Sequence, residues 1–159
     1  MNKAVVIQQI VAGLHASFAA LEKAARAAHA EATHESSKAD NKYDTRGLEA
    51  SYLARGQAQQ AEEILAALQA YEVLPTRAFA AGERIALTAL VRMETDGTRA
   101  TYFSGPTSGG LEIECDGEAI MVITPSSPLG RSLMGKQAGQ RWTTNLGAST
   151  AHYHILSVE

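Results

Sequence analysis

Hydrophobic residues in the first half of the chain recur at steps of three and four, as they do on one face of an α-helix. One stripe comprises Ile7, Ile10, Leu14, Phe18, Leu21 and Ala25, and a second comprises Leu48, Tyr52, Ala61, Ile64, Leu68 and Tyr71. Residues 34–41, between the stripes, are polar. This pattern predicts an antiparallel helical hairpin, a coiled-coil arm, over residues 1–74 with its tip near residues 33–44.

Each predicted helix has about 30 residues and would be roughly 45 Å long, so the tip should lie far from the rest of the protein. Ser37 and Asp40 resemble a capping box, which places the start of the second helix near Ser37. Gly47 and Gly56 fall inside this helix, where each costs about 1 kcal/mol relative to alanine. Close packing against the first helix would account for these two glycines.

The pattern changes at Leu74-Pro75-Thr76, after which short apolar or alternating runs are separated by glycine and proline. We predict strands at residues 84–93, 100–103, 119–124, 141–146 and 151–158. Ser127 is a candidate N-cap, Pro128 the first residue of a short helix, and Gly135 its end. The predicted fold class is therefore α+β, with the helical hairpin followed by a small antiparallel sheet domain and one short helix at residues 75–159.

Charge and composition limit the classes of function. The net charge is -3 at pH 7, and neither half of the chain is basic, so direct specific DNA binding is not expected. The single cysteine, Cys115, excludes an intrachain disulfide and is expected to be a small buried residue in a strand. We expect no membrane-spanning helix and no membrane partner, and therefore a cytoplasmic protein.

Residues 123–136, Ile-Thr-Pro-Ser-Ser-Pro-Leu-Gly-Arg-Ser-Leu-Met-Gly-Lys, resemble the Ser-Pro-(Leu/Ile)-(Gly/Ala)-(Arg/Lys) segment of the Gre transcript-cleavage factors. The order of elements, a helical hairpin and then a small sheet domain, is also that of this family. The resemblance implies that residues 75–159 form an FKBP-like domain. It further implies that the chain binds RNA polymerase, with Ser127, Pro128 and Arg131 in the contact.

The resemblance extends to the predicted tip, where Asp40-Asn41 falls on the family's Glu-Asn pair. In the family, two tip acids enter the secondary channel of the polymerase and help to hold a Mg²⁺ ion that the polymerase shares. Two metals can clamp the attacking and leaving oxygens of the cleavage reaction, and Mg²⁺ prefers carboxylate oxygens. Here Ser37 replaces one tip aspartate, so the resemblance implies a metal-binding, assisting role for Asp40 alone, with Glu35 and Asp44 as substitutes.

A purely structural interpretation of these acids is that Asp40 caps a helix and that Glu35 and Asp44 are solvent-exposed side chains of the turn. Lys38, Lys42 and Arg46 also make the tip less negative than an acidic cluster. Either way, no cofactor is expected to bind stably, and the chain is not expected to be an enzyme, because the cleavage chemistry belongs to the polymerase.

Two alternative functions stay open. The first is a secondary-channel regulator that binds the polymerase without stimulating cleavage, which the replacement at Ser37 favours. The second is a peptidyl-prolyl isomerase, which would need an aromatic proline pocket. The aromatic residues after position 75 are Phe79, Tyr102, Phe103, Trp142 and Tyr153. His152 and His154 alternate on one predicted strand, but no third metal ligand is close to them in the sequence.

Overall fold

A computed structural model describes residues 1–33, 46–146 and 149–159 of the chain. Its elements, in chain order, are α1 Lys3–Thr33, α2 Arg46–Glu72, β1 Leu90–Thr95, β2 Thr98–Ser104, β3 Glu112–Cys115, β4 Glu118–Ile123, α3 Pro128–Leu133, β5 Arg141–Leu146 and β6 Ser149–Val158. Two long helices precede a mostly antiparallel sheet with one short helix, so the predicted α+β class is confirmed.

The described chain forms two compact units. One consists of residues 12–69, and the other combines residues 1–11 with residues 70–159. The second unit therefore includes the first residues of α1 and the last residues of α2, which the sequence analysis assigned to the arm. Each unit has its own buried residues and is described separately.

The unit of residues 12–69 is built from α1 and α2. Leu14 of α1 and both Ala67 and Leu68 of α2 are buried. An apolar groove of about 500 Å³ lies between the two helices. The residues that line it include Phe18, Leu21, Ala25 and Ala28 of α1 and Leu53, Ala54, Ala58 and Ala61 of α2. Phe18, Leu21 and Ala25 of the first predicted stripe therefore face the second helix.

The second predicted stripe agrees less well with the structure. Tyr52, which we placed in the stripe, is 68% exposed, and its neighbour Leu53 is 57% exposed. A Cβ atom on Gly56 would meet nothing within 4 Å, so close packing does not explain this glycine. A gap remains between α1 and α2 beside Gly56, because the alanines that line α2 there have small side chains. The predicted helix start near Ser37 lies outside the described residues.

The sheet of the other unit has six strands in the order β3-β4-β2-β1-β6-β5. Strands β1 and β2 form a hairpin across Asp96-Gly97, and β3 and β4 form another across Asp116-Gly117. All four turn residues have positive φ, between 49° and 84°, as a two-residue hairpin turn of type I′ requires. Only β2 and β4 pair in parallel, and they join the two hairpins.

The sheet buries side chains on both faces, because alternate residues of a strand point to opposite sides. On one face Val91, Met93 and Ile155 pack with Leu133 of α3. On the other face Phe103 and Val122 are fully buried. The short helix therefore completes one of the two core layers, and its position is determined by the packing of Leu133.

Tyr71 connects the last turn of α2 with the loop after β2 inside this unit. Its side chain is 1% exposed, and its hydroxyl donates a hydrogen bond to the Thr107 carbonyl at 2.8 Å. Burial raises the pKa of Tyr71 well above its usual value. Gly105 makes room for the ring, because a Cβ at that position would lie 2.1 Å from the Tyr71 hydroxyl oxygen.

Two strand predictions need correction. The first strand begins at Leu90 rather than at Arg84, because Thr88 has a φ of 69°, which interrupts the extended backbone. Strand β3 was not predicted, because its alternating Glu112 and Glu114 give it no apolar run. Cys115, at the end of β3, is buried as expected, and burial raises the pKa of its thiol.

The expectation of no membrane-spanning helix concerns α1, the one described helix with the length and composition to cross a membrane. Over Lys3–Ala30, α1 is long and apolar enough to cross a membrane by length and composition. Alanine accounts for much of this apolar character. Polar residues such as Gln8, Gln9 and His15 interrupt the segment, and two of its larger apolar residues, Phe18 and Leu21, line the groove shared with α2. A helix that packs in a soluble protein can have the same composition.

Candidate functional site

The segment between β4 and β5 forms a rigid turn followed by α3. Ser127 is the N-cap, as predicted, with an extended backbone, and Pro128 is the first helical residue. The Ser127 hydroxyl accepts a hydrogen bond from the Gly130 backbone N–H at 3.1 Å and donates one to the Thr124 carbonyl at 2.8 Å. The one donor of this hydroxyl and one of its two acceptor positions are therefore used inside the turn.

Gly130 of α3 lies close to the backbone of Thr124, the residue that follows β4. A Cβ atom on Gly130 would lie 1.8 Å from the Thr124 carbonyl oxygen and 2.9 Å from the Ser127 hydroxyl. A carbon and an oxygen that are not bonded to each other do not approach so closely, so only glycine fits here without movement. Gly130 belongs to the Gre-like segment of residues 123–136, but the motif alone does not predict this steric requirement.

The end of α3 is attached to the segment before β1. Met134 is the C-cap, and Gly135 follows with a φ of 78°, as predicted for the residue that ends the helix. The Gly135 N–H donates to the Ile85 carbonyl at 2.9 Å, and the Ile85 N–H donates to the Lys136 carbonyl at 2.7 Å. These bonds hold the end of the turn-helix segment, and the bonds between Ser127 and Thr124 hold its start.

The three residues predicted to bind a partner differ in their surroundings. Pro128 and Arg131 are exposed, whereas Ser127 is half-buried. The Arg131 guanidinium donates to the Ser126 carbonyl, which uses one of its five N–H groups. Pro128 and Arg131 can therefore contact another molecule directly, and Ser127 positions them.

An aromatic pair lies beside the end of α3. The rings of Trp142 and Tyr153 are stacked, with centroids 4.8 Å apart and an interplanar angle of 11°. The Lys136 ammonium lies over the Trp142 ring, 5.1 Å from its centroid. Burial, with a smaller contribution from Tyr153, raises the pKa of Tyr102. Since stacked rings at this distance leave no gap, a proline ring does not fit between Trp142 and Tyr153.

The other two residues considered for an isomerase pocket are the phenylalanines Phe103 and Phe79. Phe103 is fully buried, and it faces the opposite side of the sheet from Tyr102 by strand alternation. Phe79 packs against the same core as Tyr102, Trp142 and Tyr153. Its ring is covered by the Arg77 guanidinium and the Lys3 ammonium, at 3.9 and 4.3 Å from the centroid.

The predicted tip acids, Asp40, Glu35 and Asp44, lie outside the described residues, as does Ser37. Their role as metal ligands therefore stays a prediction. Within the described ranges, no group of three or more His, Cys, Asp or Glu side chains could hold a metal ion. His152 does face β5, where its Nδ1 lies 3.3 Å from the Thr143 hydroxyl.

No protein-family model matches the chain, and no curated protein matches it. One similar solved structure is the GreA factor homolog 1 (Gfh1) of Thermus thermophilus, with 19% identity and a TM-score of 0.37 over 94% of each chain. A second is the Gfh1 of Thermus aquaticus, with 21% identity and a TM-score of 0.38 over 92% of this chain and 91% of that one. A third is the transcription elongation factor GreA/GreB of Nitrosomonas europaea, with 19% identity and a TM-score of 0.37 over 74% of this chain and 94% of that one. Likeness at this level does not decide function, which depends on the residues described above.

Proposed function

We propose that the chain is an RNA polymerase-binding transcription elongation factor of the Gre type, acting in the cytoplasm. The proposal rests on the sequence and structure of the segment of residues 123–136. It resembles the polymerase-contacting segment of the Gre factors, and it folds as a capped turn and helix with Pro128 and Arg131 exposed. The long helices α1 and α2 supply the arm that such a factor needs.

In this proposal the sheet domain docks on the polymerase and the arm enters the secondary channel. Asp40 at the tip then contributes a carboxylate to a Mg²⁺ ion that the polymerase shares. The polymerase carries out the chemistry, so the factor is a cofactor rather than an enzyme. Because Ser37 replaces an acid in the family pattern, a chain that occupies the channel without stimulating cleavage is the second candidate.

Purified back-tracked elongation complexes separate these two functions. Accelerated transcript cleavage would support the first, and slowed elongation without cleavage would support the second. If the first holds, Asp40→Ala should lose most of the stimulation without loss of affinity, because a metal ligand acts mainly on the transition state. If the second holds, Ser37→Asp should create stimulation. A chain that neither binds nor affects these complexes would refute the proposal.

The docking surface is tested by Arg131→Glu, with Arg131→Lys as a control that keeps the positive charge. We expect Arg131→Glu to weaken polymerase binding by about tenfold, since truncating or reversing a contact charge typically costs one to several kcal/mol. Arg131→Lys should bind within a few-fold of the wild type. Equal affinity of all three proteins would show that docking does not involve α3.

A further inference from the structure

The two edge strands of the sheet are β3 and β5, because the strand order runs β3-β4-β2-β1-β6-β5. An edge strand has backbone N–H and C=O groups that no neighbouring strand uses, and these groups can pair with another extended chain. The two edges of this sheet differ in the side chains that accompany the free backbone groups. This difference decides which edge can pair with a second copy of the chain.

In β5 the backbone groups that face away from the sheet belong to alternate residues. The backbone of His152 in β6 faces β1, because its carbonyl accepts from the Asp96 N–H at 3.1 Å and its N–H donates to the Asp96 carboxylate at 3.0 Å. Successive residues of a strand alternate in direction, so the residues on either side of His152 bond with β5. Their partners in β5 are Trp142 and Thr144. The β5 residues that direct their N–H and C=O groups outward are therefore Arg141, Thr143 and Asn145.

In β3 the outward backbone groups belong to Glu112 and Glu114, which are both exposed. The Val122 backbone of β4 faces β3, because its N–H donates to the Leu111 carbonyl at 2.8 Å. By the same alternation, the β4 residue two places before Val122 bonds with its partner Ile113. In an antiparallel pair, outward residues of one strand lie opposite outward residues of the other. Two β3 edges would therefore place glutamate opposite glutamate, which is destabilising.

The β5 edge can pair with itself without such repulsion. A twofold axis through Thr143 places Thr143 opposite Thr143 of the second copy, and Arg141 opposite Asn145 of the second copy. With this axis every outward residue of β5 has a partner within β5. Threonines opposite each other form a favourable cross-strand pair. Arg141 is the only charged residue of β5, and it does not face its own copy.

We propose that two copies of the chain pair through antiparallel β5 edges, with the twofold axis at Thr143. The contact is isologous, because each strand supplies the same donors and acceptors to the other. It is also small, since β5 has six residues, whereas stable interfaces use about 20–30 residues from each partner. The pairing is therefore weak and depends on protein concentration. It goes beyond the proposed function and needs no polymerase, so the two can fail separately.

The test is sedimentation equilibrium of the full-length protein, in which the wild type should form dimers as its concentration rises to about 1 mM. Thr143→Lys and Thr143→Glu should each weaken dimerisation several-fold, because each new charge lies opposite its own copy. An equimolar mixture of these two variants should pair more tightly than either one alone, because opposite charges then face each other.

Thr98→Lys is the matched control for the charge variants. It makes the same change at an exposed position of β2, which is not an edge strand, and it should dimerise like the wild type. Equal weakening by Thr98→Lys would show that net charge matters and would overturn the β5 contact. A wild type that stays monomeric up to about 1 mM, charge variants that dimerise normally, or a mixture no better than its components would also overturn it.

Amide hydrogen exchange of the wild type gives a second measurement that does not depend on the folding of any variant. The outward N–H of Thr143 should exchange several-fold more slowly at a concentration where the dimer predominates than in dilute solution. The N–H of Trp142, which already bonds with β6, should exchange at the same rate in both. A Thr143 exchange rate that does not change with protein concentration would contradict the proposed pairing.

Discussion

Replacing Gly130 by alanine gives the sharpest test of the turn-helix geometry, because two physical effects predict opposite signs. Alanine is favoured over glycine inside a helix by about 1 kcal/mol, so helix propensity alone predicts stabilisation. The structure predicts the reverse, because the new Cβ would lie 1.8 Å from the Thr124 carbonyl oxygen and 2.8 Å from its carbon. Both are backbone atoms, which have little freedom to move aside.

The expected magnitude follows from what must shift. Overpacking of this kind costs about 1–3 kcal/mol. Because the Ser127 hydroxyl is 2.9 Å from the same Cβ position, part of the cap is disturbed too, at about 1 kcal/mol. We therefore expect Gly130→Ala to lower the free energy of unfolding by about 1–3 kcal/mol, because the disturbed cap and the gain in helix propensity are of similar size and opposite sign.

Trp142 is the only tryptophan of the chain, and it lies in the same unit as α3, so its fluorescence reports on unfolding of that unit in urea. Gly56→Ala is the matched control, because nothing lies within 4 Å of a Cβ at that position in α2. This substitution should stabilise α2 by up to about 1 kcal/mol. The unfolding of the helices can be measured by circular dichroism at 222 nm. A stabilised Gly130→Ala protein would refute the steric argument.

Two further predictions concern the sheet unit. Tyr71→Phe removes the hydrogen bond to the Thr107 carbonyl and should lower the free energy of unfolding by about 1–2 kcal/mol; an unchanged urea midpoint would contradict the role assigned to this hydroxyl. The Arg92 guanidinium, and then the Thr101 hydroxyl, lower the pKa of Glu118. A lowered folded-state pKa contributes stability above the ordinary glutamate pKa, and this contribution is lost as the pH falls through the lowered value. Glu118→Gln should therefore be less stable than the wild type near neutral pH, and thermal melts should show the difference shrinking on acidification.

Turn and cap residues made much of the sheet domain predictable. Asp96-Gly97 specifies a hairpin turn through its positive φ values, and Ser127-Pro128 specifies a helix start by side-chain capping and a fixed φ. Such signals act within four residues, so they can be read from the sequence alone. The confirmed elements are those that carry a local signal of this kind.

The elements that were missed depend on distant contacts. Strand β3 is recognisable only through its pairing with β4, and the interruption at Thr88 depends on hydrogen bonding with the Ser104 carbonyl. Tertiary pairing of this kind overrides local propensity. The bond from the Arg84 guanidinium to the Gly135 carbonyl was hidden for the same reason, because the two residues are more than fifty positions apart in the chain.

The residues of the Gre-like segment differ in what they reveal about function. Ser127 and Gly130 have structural requirements of their own, a cap and a close backbone approach. A chain that needed only this turn would keep them without any partner, so their match supports the local fold more than the function. Arg131 and Pro128 are exposed, and the fold does not require a positive charge at position 131. The case for a polymerase partner therefore depends on these exposed residues, and charge reversal at Arg131 tests the function more directly than any change in the buried part of the turn.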